Sequence, residues 1–213
     1  MESQFRKTAA LCLLSGSLLA TITMILHPSG GSLEHITHTK GVIVFSHSVA
    51  IFCLPFIGFG SWGLSMLLQT SNRVSMLSFF VFSLGLIAAM IAASVNGFIL
   101  PFFVSRYYNT GIDEIILKTI LGYGKYLNAA MDYIFIVACM FAIGIWSIII
   151  VTKAQLPRWI GYYGFTIMAF GMVAIFTSFN FISVFGFRTF IFGLVSWLVL
   201  AGVLMFLKRK SDD

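Results

Sequence analysis

Six long apolar runs, at about residues 8–26, 42–68, 76–103, 125–152, 160–180 and 189–207, alternate with short polar breaks along the chain. Each is close to or above the roughly 20 residues that an α-helix needs to cross a hydrocarbon core of about 30 Å. The pattern predicts an all-α fold: one polytopic transmembrane helical bundle of six helices occupying residues 1–213. His27-Pro28-Ser29-Gly30-Gly31 stops the first helix, Gln69 to Ser75 parts the second from the third, and Lys153 to Arg158 parts the fourth from the fifth. The last junction, Asn180 to Arg188, is the least marked, because Phe and Ile continue through it. The first run follows Arg6 and Lys7 as a signal peptide would, but it exceeds a signal core of about 7–15 residues and no A-x-A site follows, so it reads as a helix.

Between the third and fourth runs, Ile112, Ile115, Ile116 and Ile120 form one helical stripe, with Asp113, Glu114 and Lys118 away from it. With Thr110 at the N-cap, this predicts a short amphipathic helix at about 111–121, lying on the outer surface or packed over the bundle as a lid. In the third run Gly85, Ala89, Ala93 and Gly97 recur every four residues, which predicts close backbone approach and a central, well-buried third helix. Pro55 and Pro101 are expected to kink or end their helices. A weak repeat at an offset of 84 pairs Gly60-x-Trp62 with Gly144-x-Trp146 and Ser94-x-Asn96 with Ser178-x-Asn180.

Composition removes the soluble alternative: 59% of the residues are hydrophobic and 9% charged, against roughly a quarter charged in a soluble domain. The net charge of +6 does not point to nucleic acid, because the basic residues stand singly or in pairs at the ends of apolar runs. They also set an orientation. With both termini cytoplasmic, the inner segments hold Arg6, Lys7, Arg73, Lys153, Arg158, Lys208, Arg209 and Lys210, and the outer ones Lys40, Arg106, Lys118, Lys125 and Arg188. Cys12, Cys53 and Cys139 lie inside apolar runs without CxxC spacing and read as small core residues.

Polar side chains within a bilayer cost free energy unless they find partners, so their positions point to a site. His47, Asn96 and Asp132 fall roughly 8–11 Å below the outer helix ends at 1.5 Å per residue. Asn128 shares a face with Asp132, Asn180 closes the fifth run and Arg188 opens the sixth. His47, Asn96, Asn128, Asp132, Asn180 and Arg188 are therefore the candidate ligand-binding residues, with Lys125, Arg188 and His47 as candidate partners of the Asp132 carboxylate. All four histidines, His27, His35, His38 and His47, belong to the outer side and are candidate metal ligands, His27 and His47 also for a bis-histidine haem. No G-x-S-x-G, phosphate-binding loop or CxxC motif occurs.

His27-Pro28, His47, Asn96-Gly-Phe-Ile-Leu-Pro101 and Leu156-Pro-Arg-Trp-Ile-Gly161 together resemble a family of uncharacterised bacterial six-helix membrane proteins. The resemblance covers most of the chain and implies the fold and a bacterial inner membrane, but no activity; many such relatives have Asp at the place of Asn96. The expectation is thus a binding or accessory protein with an outward-facing polar pocket for a small ligand, lipid head group or cation. Its partners are then the bilayer and that ligand, with no nucleic acid and no partner subunit named by the sequence. The alternative is an intramembrane enzyme, or a metal or haem protein, using His47 and Asp132.

Overall fold

In the computed structural model, which describes residues 2–28, 31–69, 73–108, 110–177, 179–181 and 183–208, the chain is all-helical with no strand among the described residues. Ser29 and Gly30 of the first break, Ser178 of the repeat, and Arg209 and Lys210 of the basic tail lie outside them. Six helices follow in order: α1 Ser3–Leu26, α2 Leu33–Gln69, α3 Val74–Tyr107, α4 Glu114–Lys153, α5 Arg158–Phe176 and α6 Val184–Leu207. All except α5 are long and apolar enough to cross a membrane, and with α5 the helix count fits six.

α2 and α4, of 37 and 40 residues, run about 55 and 60 Å, nearly twice a hydrocarbon core. Their polar leading segments are helical too, so the separate helix expected at 111–121 is instead the first two turns of α4, continuous through Lys153. Its cap is Asp113, whose carboxylate accepts the Ile115 N–H at 2.8 Å, rather than Thr110, whose hydroxyl donates to the Tyr107 carbonyl at 2.7 Å. The stripe expected to be its apolar face, Ile112, Ile115, Ile116 and Ile120, is exposed. Leu117 turns inward and joins Leu33 and Val104 in a small second core that ties the extensions of α2, α3 and α4 together. Lys40 adds to that tie, donating to the Ser105 hydroxyl at 2.8 Å over the Phe102 ring.

α1 packs between α2 and α6, α3 between α2 and α4, and α5 lies against α4 on the outside. The backbones of α1 and α2 approach closely: a Cβ at Gly60 would stand 2.7 Å from Leu13 Cα. The most buried helix is α4, not α3, which has a smaller buried share than α1, α4 or α6. α3 presents Leu77, Phe80, Leu84 and Ile87 outward, and only Gly85 and Gly97 of its small-residue stripe are buried against neighbours. Pro55 sits within an unbroken α2. Pro101 lacks an N–H, and just before it α3 widens into a π turn, Val95–Ile99, with the Leu100 N–H bonded to the Val95 carbonyl.

The end of the bundle away from His27 is closed by side chains. The Trp146 indole donates to the Ser65 hydroxyl at 2.9 Å and stacks on Trp197, whose own indole donates to the Ile160 carbonyl at 3.0 Å. The buried Arg6 guanidinium donates to the Lys208 carbonyl, joining the start of α1 to the end of α6. The repeat pairs do not share environments: Trp62 is partly exposed against Phe5 and Phe59 where Trp146 is fully buried, and Asn96 lies in a helix where Asn180 lies in an exposed turn.

Candidate functional site

A cavity of about 590 Å³ opens between α1, α2, α3, α4 and α6. Its polar lining gathers at the His27 end: His27 and His35, His47, Asn96, and Lys125, Asn128 and Asp132. Away from that end the lining is apolar, including Ile57, Phe82, Ile191, Leu194 and Leu198. Ala89 and Ala93 also border the space, so the middle of the small-residue stripe on α3 makes room for the cavity rather than for a neighbouring backbone.

α4 supplies one polar row. Lys125, Asn128 and Asp132 recur at helical spacing on the cavity face, Lys125 exposed at the rim and the other two 8% and 7% exposed. The Asn128 amide donates to Asp132 Oδ2 at 2.6 Å, while Asn128 Oδ1 is buried without a hydrogen-bond partner. The partner of Asp132 is thus its own helix neighbour, not Lys125, Arg188 or His47. A buried acceptor left unpaired costs on the order of 1–3 kcal/mol.

α1 and α2 supply a pair of imidazoles whose ring centroids are 4.9 Å apart. The Nδ1–H of His27 donates to the Pro28 carbonyl at 2.9 Å and that of His47 to the Ile43 carbonyl at 2.8 Å. A carbonyl can only accept, so each Nδ1 carries the proton, and in the neutral rings each Nε2 is left as an acceptor. Burial pushes the His27 imidazole below its ordinary value; the Pro28 carbonyl opposes this and the Arg188 guanidinium adds to it. The neutral form is favoured at His27 for these reasons. Gly97, in the π turn, is what lets α3 pass His47: a Cβ there would overlap the His47 Cβ.

Two candidate residues stand outside the cavity lining. Arg188 donates from Nη2 to the His27 carbonyl at 2.6 Å, holding the end of α1 from behind the site. Asn180 is exposed in the turn before α6, where its side-chain oxygen accepts the Ser183 N–H at 3.0 Å. The four histidines do not assemble. His35 and His38 are exposed, His38 does not line the cavity, and among the described residues no group of three or more His, Cys, Asp or Glu is arranged to hold a metal ion. His27 and His47 also stand too close for a haem between them, since two iron–nitrogen bonds of about 2 Å and the ring radii beyond them place centroids about 6 Å apart.

The apolar lining was beyond sequence reasoning, because Phe82 or Leu194 in an apolar run carries no mark that separates a cavity wall from a packed core. Lys125 had a usable signal, its spacing of three and seven from Asn128 and Asp132. No family model matches this chain, and neither a curated protein nor a solved structure matches it.

Proposed function

We propose that this chain is a multi-pass protein of the bacterial inner membrane, with both termini cytoplasmic, that binds a small ligand, lipid head group or cation in a pocket open to the outer face. The excess of basic residues at the opposite end of the bundle supports the orientation. The observation that carries the binding reading is the Asn128–Asp132 pair: two polar side chains more than nine-tenths buried that line a cavity. A role in fixing helix packing alone would pair such groups across helices, and here the bond stays within α4. The cavity volume is also in the usual range of small-molecule sites, about 300–1,000 Å³.

Binding accounts for the site better than catalysis by His47 and Asp132. An acid–base pair works through a shared hydrogen bond or a common substrate proton. His47 and Asp132 share no such bond: His47 Nδ1 donates to the Ile43 carbonyl and Asp132 accepts from Asn128.

The test is to purify the protein into lipid nanodiscs, denature it, and identify released small molecules by mass spectrometry. A double variant, Ala89→Leu with Ala93→Leu, serves as control because both positions border the cavity. Stoichiometric release of a molecule from the wild type, lost in the double variant, is expected. Equal release from both, or none from the wild type, contradicts the reading.

A further inference from the structure

Resting on that binding reading, we infer that the ligand is a single-chain amphiphile whose head donates hydrogen bonds, through hydroxyl or primary ammonium groups, and whose tail lies along α6 toward Leu198.

The first argument is the segregation of the lining. Polar groups occupy one end only, and the wall from Cys53 and Phe82 to Leu198 offers a ligand little but hydrocarbon. A compact polar ligand would leave that apolar length empty or wet. The second is length. Asn96 and Phe82 both line the space and are separated by about 21 Å along α3, and Val184 and Leu198 by about the same along α6. His47 and Ile57 give about 15 Å along α2. These lengths equal or exceed the hydrocarbon depth of one leaflet, about half of a 30 Å core, so a chain of lipid length fits along them. The third is volume. The cavity of about 590 Å³ lies within the about 300–1,000 Å³ of small-molecule sites, the scale of one chain with a small head.

The head chemistry follows from what the polar end leaves unpaired. Asp132 is an acceptor when ionised, and the Nε2 atoms of His27 and His47 are acceptors because both Nδ1 atoms are spent on carbonyls. The donors on offer are the Asn96 amide, whose oxygen also accepts, and two exposed residues, His35 and Lys125, the latter two helical turns above Asp132. A head rich in O–H or N–H groups matches the acceptors at Asp132 and the two imidazoles. A carboxylate head would meet Asp132 and the other acceptors with acceptors of its own.

The experiment uses the full chain in phosphatidylcholine nanodiscs free of detergent, since detergents are themselves single-chain amphiphiles. Four probes are titrated calorimetrically: a monoacylglycerol, a primary alkylamine and a fatty acid of equal chain length, and glycerol as a head without a tail. The Ala89→Leu, Ala93→Leu double variant corrects for partition into the bilayer. The monoacylglycerol and the alkylamine should bind saturably and about tenfold or more tighter than the fatty acid, as expected for one charge-assisted hydrogen bond gained or lost. Glycerol should bind at least about a hundredfold more weakly, because each buried methylene is lost with the tail. Asp132→Asn should weaken the alkylamine by about tenfold and the monoacylglycerol less, separating an ammonium head from a hydroxyl one. Thermal unfolding of that variant establishes that it is folded.

Equal binding of the fatty acid overturns the donating head, and equal binding of glycerol overturns the tail; in both cases the pocket still binds. If no probe binds although the wild type releases a cavity-dependent molecule, the ligand class is wrong and the binding reading survives. If no probe binds and nothing is released, both fail.

Discussion

The Asn128 amide donates to the Asp132 carboxylate at 2.6 Å across one helical turn, and the same geometry leaves the Asn128 carbonyl oxygen buried without a partner. The donor half of this side chain is satisfied and the acceptor half is not. Asn128→Ala removes both halves and leaves the Asp132 carboxylate unpaired at 7% exposure. Leaving the carboxylate unpaired costs about 1–3 kcal/mol and removing the orphan acceptor returns a similar amount, so thermal unfolding in nanodiscs should show a net change within about 1 kcal/mol. A loss of about 3 kcal/mol or more would show that the Asn128 oxygen is not unpaired in the protein.

Gly97 and Gly122 make a matched pair of tests. A Cβ at Gly97 would overlap His47, whereas one at Gly122 would meet nothing within 4 Å. Gly97→Ala should therefore destabilise by about 1–3 kcal/mol through overpacking and displace the His47 imidazole. Gly122→Ala, in the open first part of α4, should gain about 0.5–1 kcal/mol from reduced backbone freedom. Thermal unfolding of the two single variants checks both signs.

Ala89→Leu separates a cavity wall from a helix–helix seam. From the stripe alone, Leu at this position is expected to overpack and destabilise. Because Ala89 borders the cavity, the larger side chain can occupy existing space, and stability should stay at or above the wild type while ligand binding weakens. A loss of about 1–3 kcal/mol with binding intact would restore the seam.

Acid should weaken the fold through His27. Its folded value is depressed by burial, so the unfolded chain takes up the proton more readily. The neutral ring's contribution is fully present above the ordinary value of 6.5 and is lost as pH falls from there toward the folded value. His27→Gln should flatten this part of the stability profile between about pH 7 and 5. An unchanged slope would mean that His27 does not titrate with unfolding.

The architecture was legible because crossing a bilayer demands long apolar runs, and all six became helices. Their true lengths were not, because the polar leading segments of α2 and α4 are helical for reasons of local capping and a second small core, at Asp113 and at Leu33, Val104 and Leu117. The placing of α3 failed on an ambiguity of small residues. Gly85 and Gly97 do meet neighbours, but Ala89 and Ala93 leave space, and a four-residue spacing reads the same for both. At the site, polarity in an apolar run was a sufficient signal for His47, Asn96, Asn128 and Asp132 to be found on one cavity. Arg188 and Asn180 stand outside that lining, bonded to the His27 carbonyl and the Ser183 N–H, and Arg6, buried by its bond to the Lys208 carbonyl, gave no such signal.

The measurement closest to the central claim is photo-crosslinking of a long-chain alkylamine carrying a diazirine near the tail end, bound to the protein in nanodiscs, with the labelled residues mapped by mass spectrometry. A ligand seated with its head at Asp132 and its tail in the cavity should label the cavity wall near Ile57, Leu194 and Leu198, and excess unlabelled alkylamine should abolish the labelling. Labelling confined to outward-facing residues such as Phe52, Phe80 and Phe141, and insensitive to competitor, would mean that the probe sits in the surrounding lipid and that the cavity is not a binding site.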